Sequence, residues 1–358
     1  MVAYITKKIT YGILVLWGVI TLVFFLFNVL PGDPARMMLD KREDANQLTI
    51  IKQKYAFDRS LSDQYALYLN DVFPISIHHN SASAFTSLKS GKYQFTQLFS
   101  IADYTLVFKV PYLRESFVRI GTPVISIIGN TFKNTFFLAL ASIGIALFLG
   151  LILGVFSALY KDTLIDKFIL FISVLGMSLP SFFASIIIAW FFGFVLHNFT
   201  GLNMTGSLYE VDDYGRGSCL QIKNLILPAI TLGIRPLSVI IQLCRNSLLE
   251  VLSMDYVRTA TAKGLNKFTV IFKHALRNAL NPVVTAVSGW FASLLAGAVF
   301  VEYIFAWNGI GKEIVDALNK MDLPVVMGSV LFIASIFVII NIIVDLIYGW
   351  LDPRIRIS

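Results

Sequence analysis

Residues 134–160 read NTFFLALASIGIALFLGLILGVFSALY, and no side chain in this run is charged. A helix that crosses the hydrocarbon core of a bilayer needs about 20 consecutive apolar residues, because each residue advances the helix by only about 1.5 Å. The run is long enough, so it predicts a transmembrane helix.

The composition of the whole chain favours the same class of protein. Of its 358 residues, 56% are hydrophobic and 14% are charged, against about 25% charged residues in a soluble domain. A soluble globule of this size could not hide so much apolar surface. The 30 Phe and 14 Tyr exclude intrinsic disorder, and two cysteines are too few for a disulfide framework. An all-α polytopic membrane protein remains, whose net charge of +7 fits cytoplasmic loops that face anionic lipid better than it fits nucleic acid.

Five further apolar runs bring the predicted count to six transmembrane helices. Pro180 interrupts the third run and should kink its helix, which either a translocation path or simple packing would explain. The fourth run contains Arg235 and Pro236, so it is the weakest of the six. The predicted spans are 9–30, 134–160, 168–196, 225–243, 282–301 and 325–350.

The distribution of Lys and Arg predicts that both termini are cytoplasmic. Basic residues flank the first span at Lys7 and Lys8 and are frequent between the fourth and fifth spans, as the positive-inside rule requires of cytoplasmic segments. The predicted division of the chain is an N-terminal segment with the first helix (1–30), a large extracytoplasmic segment (31–133) and a five-helix core (134–358). In the extracytoplasmic segment, spaced apolar residues predict a helix over 44–69.

The segment 246–281 does not resemble a linker. It contains no Pro and a single Gly, and apolar residues recur in it at three-residue spacing, beginning with Leu248, Val251, Met254 and Val257. This pattern predicts two amphipathic helices hinged near Gly264. Composition alone does not distinguish a helix that lies on anionic lipid from a helix that is presented to a soluble partner.

The residues of this segment resemble those of a known protein family, and the segment is called the coupling loop below, after its counterpart in that family. Residues 256–265, YVRTATAKGL, and 274–279, HALRNA, resemble the EAA loop of ABC importer permeases, in the form found in the dipeptide, oligopeptide and nickel class. The general Glu-Ala-Ala pattern falls here on Arg258, Thr259 and Ala260. Other stretches that fit the family are PGDP at 31–34, SLPSF at 178–182, LPA at 227–229, GAVFVEYIFAWNGIG at 297–311 and LDPRIR at 351–356. Residues 75–120 match no pattern of the family.

The resemblance implies a type I ABC importer permease fold in the bacterial cytoplasmic (inner) membrane, surrounded by membrane lipid. It implies a second homologous permease subunit, two cytoplasmic ATPase subunits that bind ATP and Mg²⁺, and an extracytoplasmic solute-binding protein. The chain itself is expected to hold no cofactor, metal, nucleic acid or catalytic residue. In the coupling loop, the residues expected to transmit movement from the ATPases are Tyr256, Arg258, Thr259, Ala260, Lys263, Gly264, His274 and Arg277.

The stretch AWNGIGKE at 306–313 has only a superficial likeness to a phosphate-binding loop. Ala306 stands where the first Gly is needed, and Glu313 stands where Ser or Thr would bind Mg²⁺. Nucleotide binding by this chain is therefore not expected, and energy must come from another polypeptide or an ion gradient.

Three other features are more simply structural. His78 and His79 are adjacent, so they are expected to be solvated loop residues rather than metal ligands. Gly150 and Gly154 form a small-xxx-small face that favours close helix packing within the chain over contact with a second permease. Asn341 and Asp345, one turn apart in the sixth span, fit a functional site or a helix-end pair equally well.

The expected function is the import of dipeptides or oligopeptides, with nickel or another small solute of the same family as an alternative. A rival from another class is an ion-coupled secondary transporter, which usually shows an inverted repeat that is absent from this sequence. A membrane-bound sensor is a third possibility, but it would need no structured coupling loop.

Overall fold

The computed structural model describes residues 2–29, 45–81, 84–211 and 217–351. The predicted motif at 31–34 and most of the one at 351–356 lie outside these residues. The helices are α1 (Val2–Val29), α2 (Ala45–Tyr55), α3 (Leu61–Val72), α4 (Val124–Leu159), α5 (Leu164–Ser178), α6 (Ser181–Trp190), α7 (His197–Thr200), α8 (Lys223–Leu252), α9 (Asp255–Ala262), α10 (Lys267–Thr269), α11 (Leu276–Ala279), α12 (Asn281–Gly297), α13 (Val299–Ile304), α14 (Ile310–Asn319) and α15 (Leu323–Leu351). The strands are β1 (Ile75–His79), β2 (Phe95–Ile101), β3 (Tyr104–Lys109), β4 (Tyr209–Val211) and β5 (Ser218–Leu220), with a 3-10 turn at Leu88–Ser90 and π-helical turns at Phe191–Val195 and Val270–Ala275.

Several of these helices are long and apolar enough to cross a bilayer. Two bent pairs pass the same test together: α5 with Ser181–Val195, bent by 110°, and Lys267–Ala279 with Asn281–Ala296, bent by 51°. The described residues therefore hold four such helices, or up to six if each bent pair is one span. This confirms the polytopic helical class, while the count of six stays a prediction. The four unbroken spans are Thr6–Asn28, Val124–Leu159, Lys223–Leu252 and Leu323–Asp345.

The second and fourth spans differ from their predicted form. The helix α4 begins at Val124 rather than at Asn134, because Lys133 is exposed and one exposed charge does not interrupt a helix. The predicted weakest span, α8, runs unbroken through Pro228 and Pro236. Its most apolar window is 61% buried, more than that of the other three unbroken spans. The arginine and prolines that made its prediction the weakest therefore lie in the most buried of these four helices.

The chain divides into two compact units. Unit one comprises residues 131–313 and 336–351 with residues 2–4, and unit two comprises residues 5–130 and 314–335. The helices α4 and α15 each contribute to both units.

Close contacts between helices build the core of unit one around α8. A Cβ atom placed on Gly150 would lie 2.6 Å from the side chain of Ile240, and one on Gly154 would lie 2.7 Å from Cβ of Cys244. Small residues allow two helix backbones to approach closely, which is the main source of helix association in lipid. The predicted packing of this glycine pair within the chain is confirmed.

The third span breaks at Pro180, as predicted. Leu179 and Pro180 are extended, with ψ values of 128° and 136°, and α6 begins directly after them. Proline has no N–H group to donate to the preceding turn, and it disfavours helical backbone in the residue before it. The result is the 110° bend between α5 and Ser181–Val195, which is far sharper than an ordinary proline kink.

Unit two joins α1 to the two short helices and a small sheet. The helical character predicted for 44–69 is confirmed, but the stretch forms two helices, because Ala56 adopts a positive φ of 59° and a turn separates α2 from α3. Tyr65 and Tyr68 of α3 pack on α1 through Phe24, with ring centroids 5.2 and 5.7 Å apart. The three strands are antiparallel in the order β1-β3-β2.

One face of this sheet covers a buried polar cluster. The Asp71 carboxylate accepts hydrogen bonds from Tyr93 Oη at 2.8 Å and Arg114 Nε at 3.0 Å. Lys109 Nζ donates to the carbonyl oxygen of Asp71 at 2.5 Å, and burial lowers the pKa of Lys109 to about 8. Each buried charge thus has a partner, as the low-dielectric surroundings demand.

The expectation that His78 is solvated is wrong. Its side chain is fully buried, with Nδ1 2.8 Å from the carbonyl oxygen of Thr86 and Nε2 2.9 Å from Oγ of Ser76. The ring also packs edge-on against Tyr93, with centroids 4.6 Å apart. The alternation of a strand decides this, because His78 lies on the inner face of β1 while His79 lies on the other.

Candidate functional site

The coupling loop is built from two helical arms and a tight turn. The first arm is α9, and the second consists of α10, the π-helical turn Val270–Ala275 and α11. Gly264 lies between the arms with φ +79°, and its N–H donates to the carbonyl oxygen of Thr261 at 3.0 Å. The Asn266 side chain then accepts the N–H of Thr269 at 2.7 Å and begins the second arm. The structure therefore has a turn at the predicted hinge.

Only a glycine fits the turn without strain. A Cβ atom on Gly264 would meet no atom within 4 Å, so space is not the constraint. The constraint is the left-handed backbone, which is about 1–2 kcal/mol less favourable for residues that carry a Cβ atom. Gly264 is therefore favoured by the backbone conformation, and the space around its Cα atom is open.

The buried faces of the two arms pack on the end of α8. Val257 and Ala260 of the first arm, and Val270 and Ala275 of the second, are buried in one cluster that also contains Leu248. Burial of both arms in a shared cluster makes the loop continuous with the spans that flank it.

Most of the predicted coupling residues lie on the outer face of the loop. Tyr256, Arg258, Thr259, Lys263, Gly264 and Arg277 are exposed. Ala260 is buried and His274 is half-buried, so these two residues face the rest of the chain at least in part. Met254 was expected on the apolar face, but 41% of it is exposed because the helical period ends at the break after Leu252.

Two polar contacts organise this outer face. The Asn278 side chain donates a hydrogen bond to Oη of Tyr256 at 2.7 Å and so ties the second arm to the first. Arg258 and Asp255 form an ion pair at 3.6 Å, but their side chains are 72% and 97% exposed. Such an exposed pair contributes little to stability.

Two exposed phenylalanines were missed in the sequence. Phe268 is 69% exposed and Phe272 is 46% exposed, and their ring centroids are 4.4 Å apart. Their i, i+4 spacing on the face opposite Val270 was the available signal. The two rings form an apolar patch on the outer face of the second arm, called the phenylalanine patch below.

A buried ion pair near the coupling loop was also missed. Arg245 Nε and Nη2 donate to the two carboxylate oxygens of Asp166 at 2.8 and 2.6 Å. Ser157 Oγ and the N–H of Asp162 complete the shell of hydrogen bonds. The pair joins the start of α5 to the last turns of α8, where the coupling loop begins.

A second buried carboxylate organises the stretch at 297–311. Glu302 is fully buried and accepts hydrogen bonds from Thr135 Oγ1 at 2.7 Å, the N–H of Gly311 at 2.7 Å and the N–H of Lys312 at 3.2 Å. Burial raises the pKa of Glu302 to about 7, although the three hydrogen bonds oppose the rise. A Cβ atom on Gly309 would lie 2.4 Å from the carboxylate. The glycines that resembled a phosphate loop therefore enclose a carboxylate of the chain itself.

Comparison with known proteins gives matches along the chain. The family described as "Binding-protein-dependent transport system inner membrane component" matches residues 150–357, and its N-terminal companion family, for membrane components of the same systems, matches residues 1–88. The di/tripeptide transport system permease protein of Pseudomonas aeruginosa is 33% identical over 370 residues, covering 99% of each chain. The dipeptide transport system permease protein of Alkalihalophilus pseudofirmus is 32% identical over 369 residues, covering 99% of this chain and 100% of its own. That of Haemophilus influenzae is 41% identical over 250 residues, covering 66% of this chain and 75% of its own.

Proposed function

We propose, from the premise that this chain belongs to the family of inner-membrane components of binding-protein-dependent transport systems, that it is the permease of an ATP-driven importer of dipeptides or oligopeptides. The observation that carries the substrate class is the similarity to peptide permeases over 99% of the chain. These relatives favour neither of the alternatives, an ion-coupled secondary transporter or a permease of the same family for nickel or another small solute.

The proposed topology has six spans and cytoplasmic termini. It counts each bent pair as one span, so that α5 and Ser181–Val195 together cross the membrane once despite their 110° bend. The coupling loop then lies on the cytoplasmic side with its many Lys and Arg residues, and unit two contributes a large extracytoplasmic segment. The basic loop inside the cell satisfies the positive-inside rule.

The proposed role of the coupling loop is mechanical. Two cytoplasmic ATPase subunits bind ATP and Mg²⁺, and their closure displaces the outer face of the loop. Because the inner face is packed on α8 and continues into α12, the displacement rocks the spans between inward-open and outward-open states. Alternating access needs a ligand that favours one of two conformations, and ATP bound to the partners supplies that bias.

The proposed contact surface for an ATPase combines charge with apolar area. Arg258 and Lys263 provide exposed cations, while the phenylalanine patch provides apolar surface that is unusual on a solvated loop. Aromatic side chains commonly dominate the energy of protein interfaces. The two rings are therefore expected to be the strongest single contribution to ATPase binding.

The remaining proposed partners are a second homologous permease and an extracytoplasmic solute-binding protein. On unit two, the sheet turns an apolar face outward, with Ile75, Ile77 and Phe108 each more than half exposed. We assign this face to contact with the binding protein, because the family depends on such a protein and the face lies in the segment proposed to be extracytoplasmic. Deletion of the sheet without loss of binding-protein-stimulated uptake would contradict this assignment.

The function is tested by reconstitution of the complete transporter in proteoliposomes. Uptake of labelled dipeptides should require ATP on the cytoplasmic side and the binding protein on the other. Uptake driven by an ion gradient without ATP would show a secondary transporter instead. Binding of a nickel chelate but not of peptides would leave the permease function and replace the substrate.

The coupling contact is tested by replacing both rings of the phenylalanine patch. The double variant F268A/F272A should insert normally but retain much less ATPase subunit during purification. The matched control is F199A, because Phe199 is 90% exposed and lies in α7, away from the coupling loop. Equal retention of the ATPases by all three proteins would exclude the patch as the contact surface.

A further inference from the structure

Unit one contains a small cavity beside the break in the third span. Its volume is about 80 Å³, and its walls come from the ends of α5 and α6 at the break, the middle of α8 and the second half of α12. The hydrogen-bonding side chains in the wall are Ser181, Thr231, Arg235, Trp290 and Ser293. A cavity of this size holds a few water molecules or one end group of a ligand.

Arg235 lies deep within its span. At a rise of about 1.5 Å per residue, Arg235 lies about 18 Å along the helix axis from the first residue of α8 and about 26 Å from the last. The hydrocarbon core of a bilayer is about 30 Å thick, so Arg235 lies close to its middle. An ionisable side chain at this depth is costly and usually functional.

Arg235 is exposed. Within the described part of the chain, its side chain forms no ion pair and no hydrogen bond. The other arginine of α8 lies about 15 Å further along the helix and behaves differently, since Arg245 is held by both oxygens of Asp166. The side-chain hydroxyls of Ser181 and Ser293 and the indole N–H of Trp290 are likewise without partners among the described residues. The cavity therefore collects four groups that are all able to donate hydrogen bonds.

The chemistry of these groups selects an anion. No Asp or Glu lines the cavity, so the guanidinium is not neutralised locally. A planar carboxylate matches the fork of an arginine with two parallel hydrogen bonds. The hydroxyls and the indole N–H can donate hydrogen bonds to the remaining lone pairs of a carboxylate or of a neighbouring amide carbonyl.

An apolar cavity adjoins this polar one. It measures about 320 Å³ and shares Gly176, Leu179 and Ile234 with the polar cavity, while Phe168 and Leu237 line its far side. The arrangement of a cationic end beside an apolar chamber matches a peptide C-terminus, which joins a carboxylate to a side chain.

We propose that Arg235 binds the C-terminal carboxylate of the transported peptide inside the membrane, with the last side chain of the peptide in the adjoining apolar cavity. This inference rests on the proposed function as a peptide importer. It makes the break at Pro180 part of a substrate site, because the break is what opens the wall between α5 and α6.

The experiment measures equilibrium binding to the complete transporter in nanodiscs without the binding protein. The two probes are tritiated Ala-Phe and tritiated Ala-Phe amide, which differ only at the carboxyl end. Wild type should bind the free acid at least tenfold more tightly than the amide, as a charge-assisted bidentate contact requires. R235Q should lose this preference while binding the amide as wild type does, and R235K should keep part of it.

The matched control is Q242A. Gln242 lies two turns further along the same face of α8 and outside the polar cavity, so its loss should leave the preference unchanged. The proposal is overturned by an R235Q protein that binds the free acid like wild type, by equal binding of acid and amide, or by no binding to wild type. Loss of the second permease from purified R235Q would also overturn it, since Arg235 would then pair between subunits.

The same preparation separates this inference from the proposed function. Wild-type uptake of Ala-Phe with ATP and binding protein supports the importer whatever the binding assay shows. Binding failure with intact uptake therefore removes only the site at Arg235. Absence of uptake for every peptide tested would instead remove the proposed function.

Discussion

Asp166 and Arg245 form a tight buried ion pair, with Nη2 and Oδ2 2.6 Å apart and side chains only 2% and 14% exposed. The two residues are separated by 79 positions in the sequence. They join the start of α5 to the last turns of α8, directly before the coupling loop. The end of α8 from which the loop continues is therefore tied to α5.

Removal of either partner should destabilise the protein strongly. D166N or R245Q leaves one charge buried without its counter-charge, which costs about 3–5 kcal/mol in fully buried pairs and less here because Arg245 is partly exposed. Thermal unfolding in detergent measures the effect, and the double variant should recover part of it. The control is D255N, which breaks the exposed Arg258–Asp255 pair and should leave the unfolding temperature unchanged. Similar melting of D166N and D255N would show that the buried pair contributes no stability.

Substitution of Gly264 should impair coupling more than folding. Its positive φ of +79° makes an alanine strained by about 1–2 kcal/mol, whereas no atom lies within 4 Å to clash. The variant G264V, which introduces a bulky side chain, should therefore still insert into the membrane. It should abolish transport and the stimulation of the ATPases.

A second glycine offers a matched control for this prediction. Gly121 has φ +75° and equally open surroundings, but it lies in unit two. G121V carries the same backbone strain, so it should lower stability like G264V while transport continues. Transport by G264V at the wild-type rate would contradict the coupling role of the turn.

The two native cysteines report the topology of the third span. Cys219 is exposed on β5, between the third and fourth spans, whereas Cys244 is buried. If the bent pair α5 with Ser181–Val195 crosses the membrane, a membrane-impermeant maleimide should label Cys219 in right-side-out vesicles. C219A should abolish the labelling. Labelling only in inside-out vesicles would mean that the bent pair re-enters and leaves on the same side.

The Glu302 carboxyl should make stability depend on pH. Its pKa rises from 4.5 to about 7 in the folded protein, so the folded state binds more protons than the unfolded state between these values. The contribution is fully present below about pH 4.5 and is lost as the pH rises through 7. At about 1.4 kcal/mol per pKa unit, it is on the order of 3 kcal/mol.

The variant E302Q measures this contribution. Its amide oxygen can accept the N–H of Gly311 and its amide NH2 can donate to the Thr135 hydroxyl. Because glutamine cannot titrate, the unfolding temperature of E302Q should change less between pH 4.5 and 8 than that of wild type. T231A is a suitable control, because the Thr231 hydroxyl donates within its own helix at 2.8 Å and does not titrate. Parallel pH profiles for wild type and E302Q would exclude Glu302 as their cause.

Local patterns in the sequence were sufficient for the class of fold and for the hinge. A membrane span can be recognised from the length of its own apolar run. The hinge can be recognised from Gly264 and the amphipathic residues on either side of it, all within a short stretch of sequence. The same local evidence placed the break at Pro180, since a missing N–H group acts on its own turn. The failures were also local in origin. His78 was misplaced because successive residues of a strand lie on opposite faces, and Met254 was misplaced because the helical period ends after Leu252.

Pairing between distant residues was decided by the tertiary structure alone. Arg235 and Arg245 look alike in the sequence of α8, yet only Arg245 meets a carboxylate, supplied from 79 residues away. Glu302 likewise meets Thr135 across 167 residues. The physical reason is that burial of a charge is tolerated only where partners converge on it, and convergence depends on how the helices pack, which no stretch of neighbouring residues encodes.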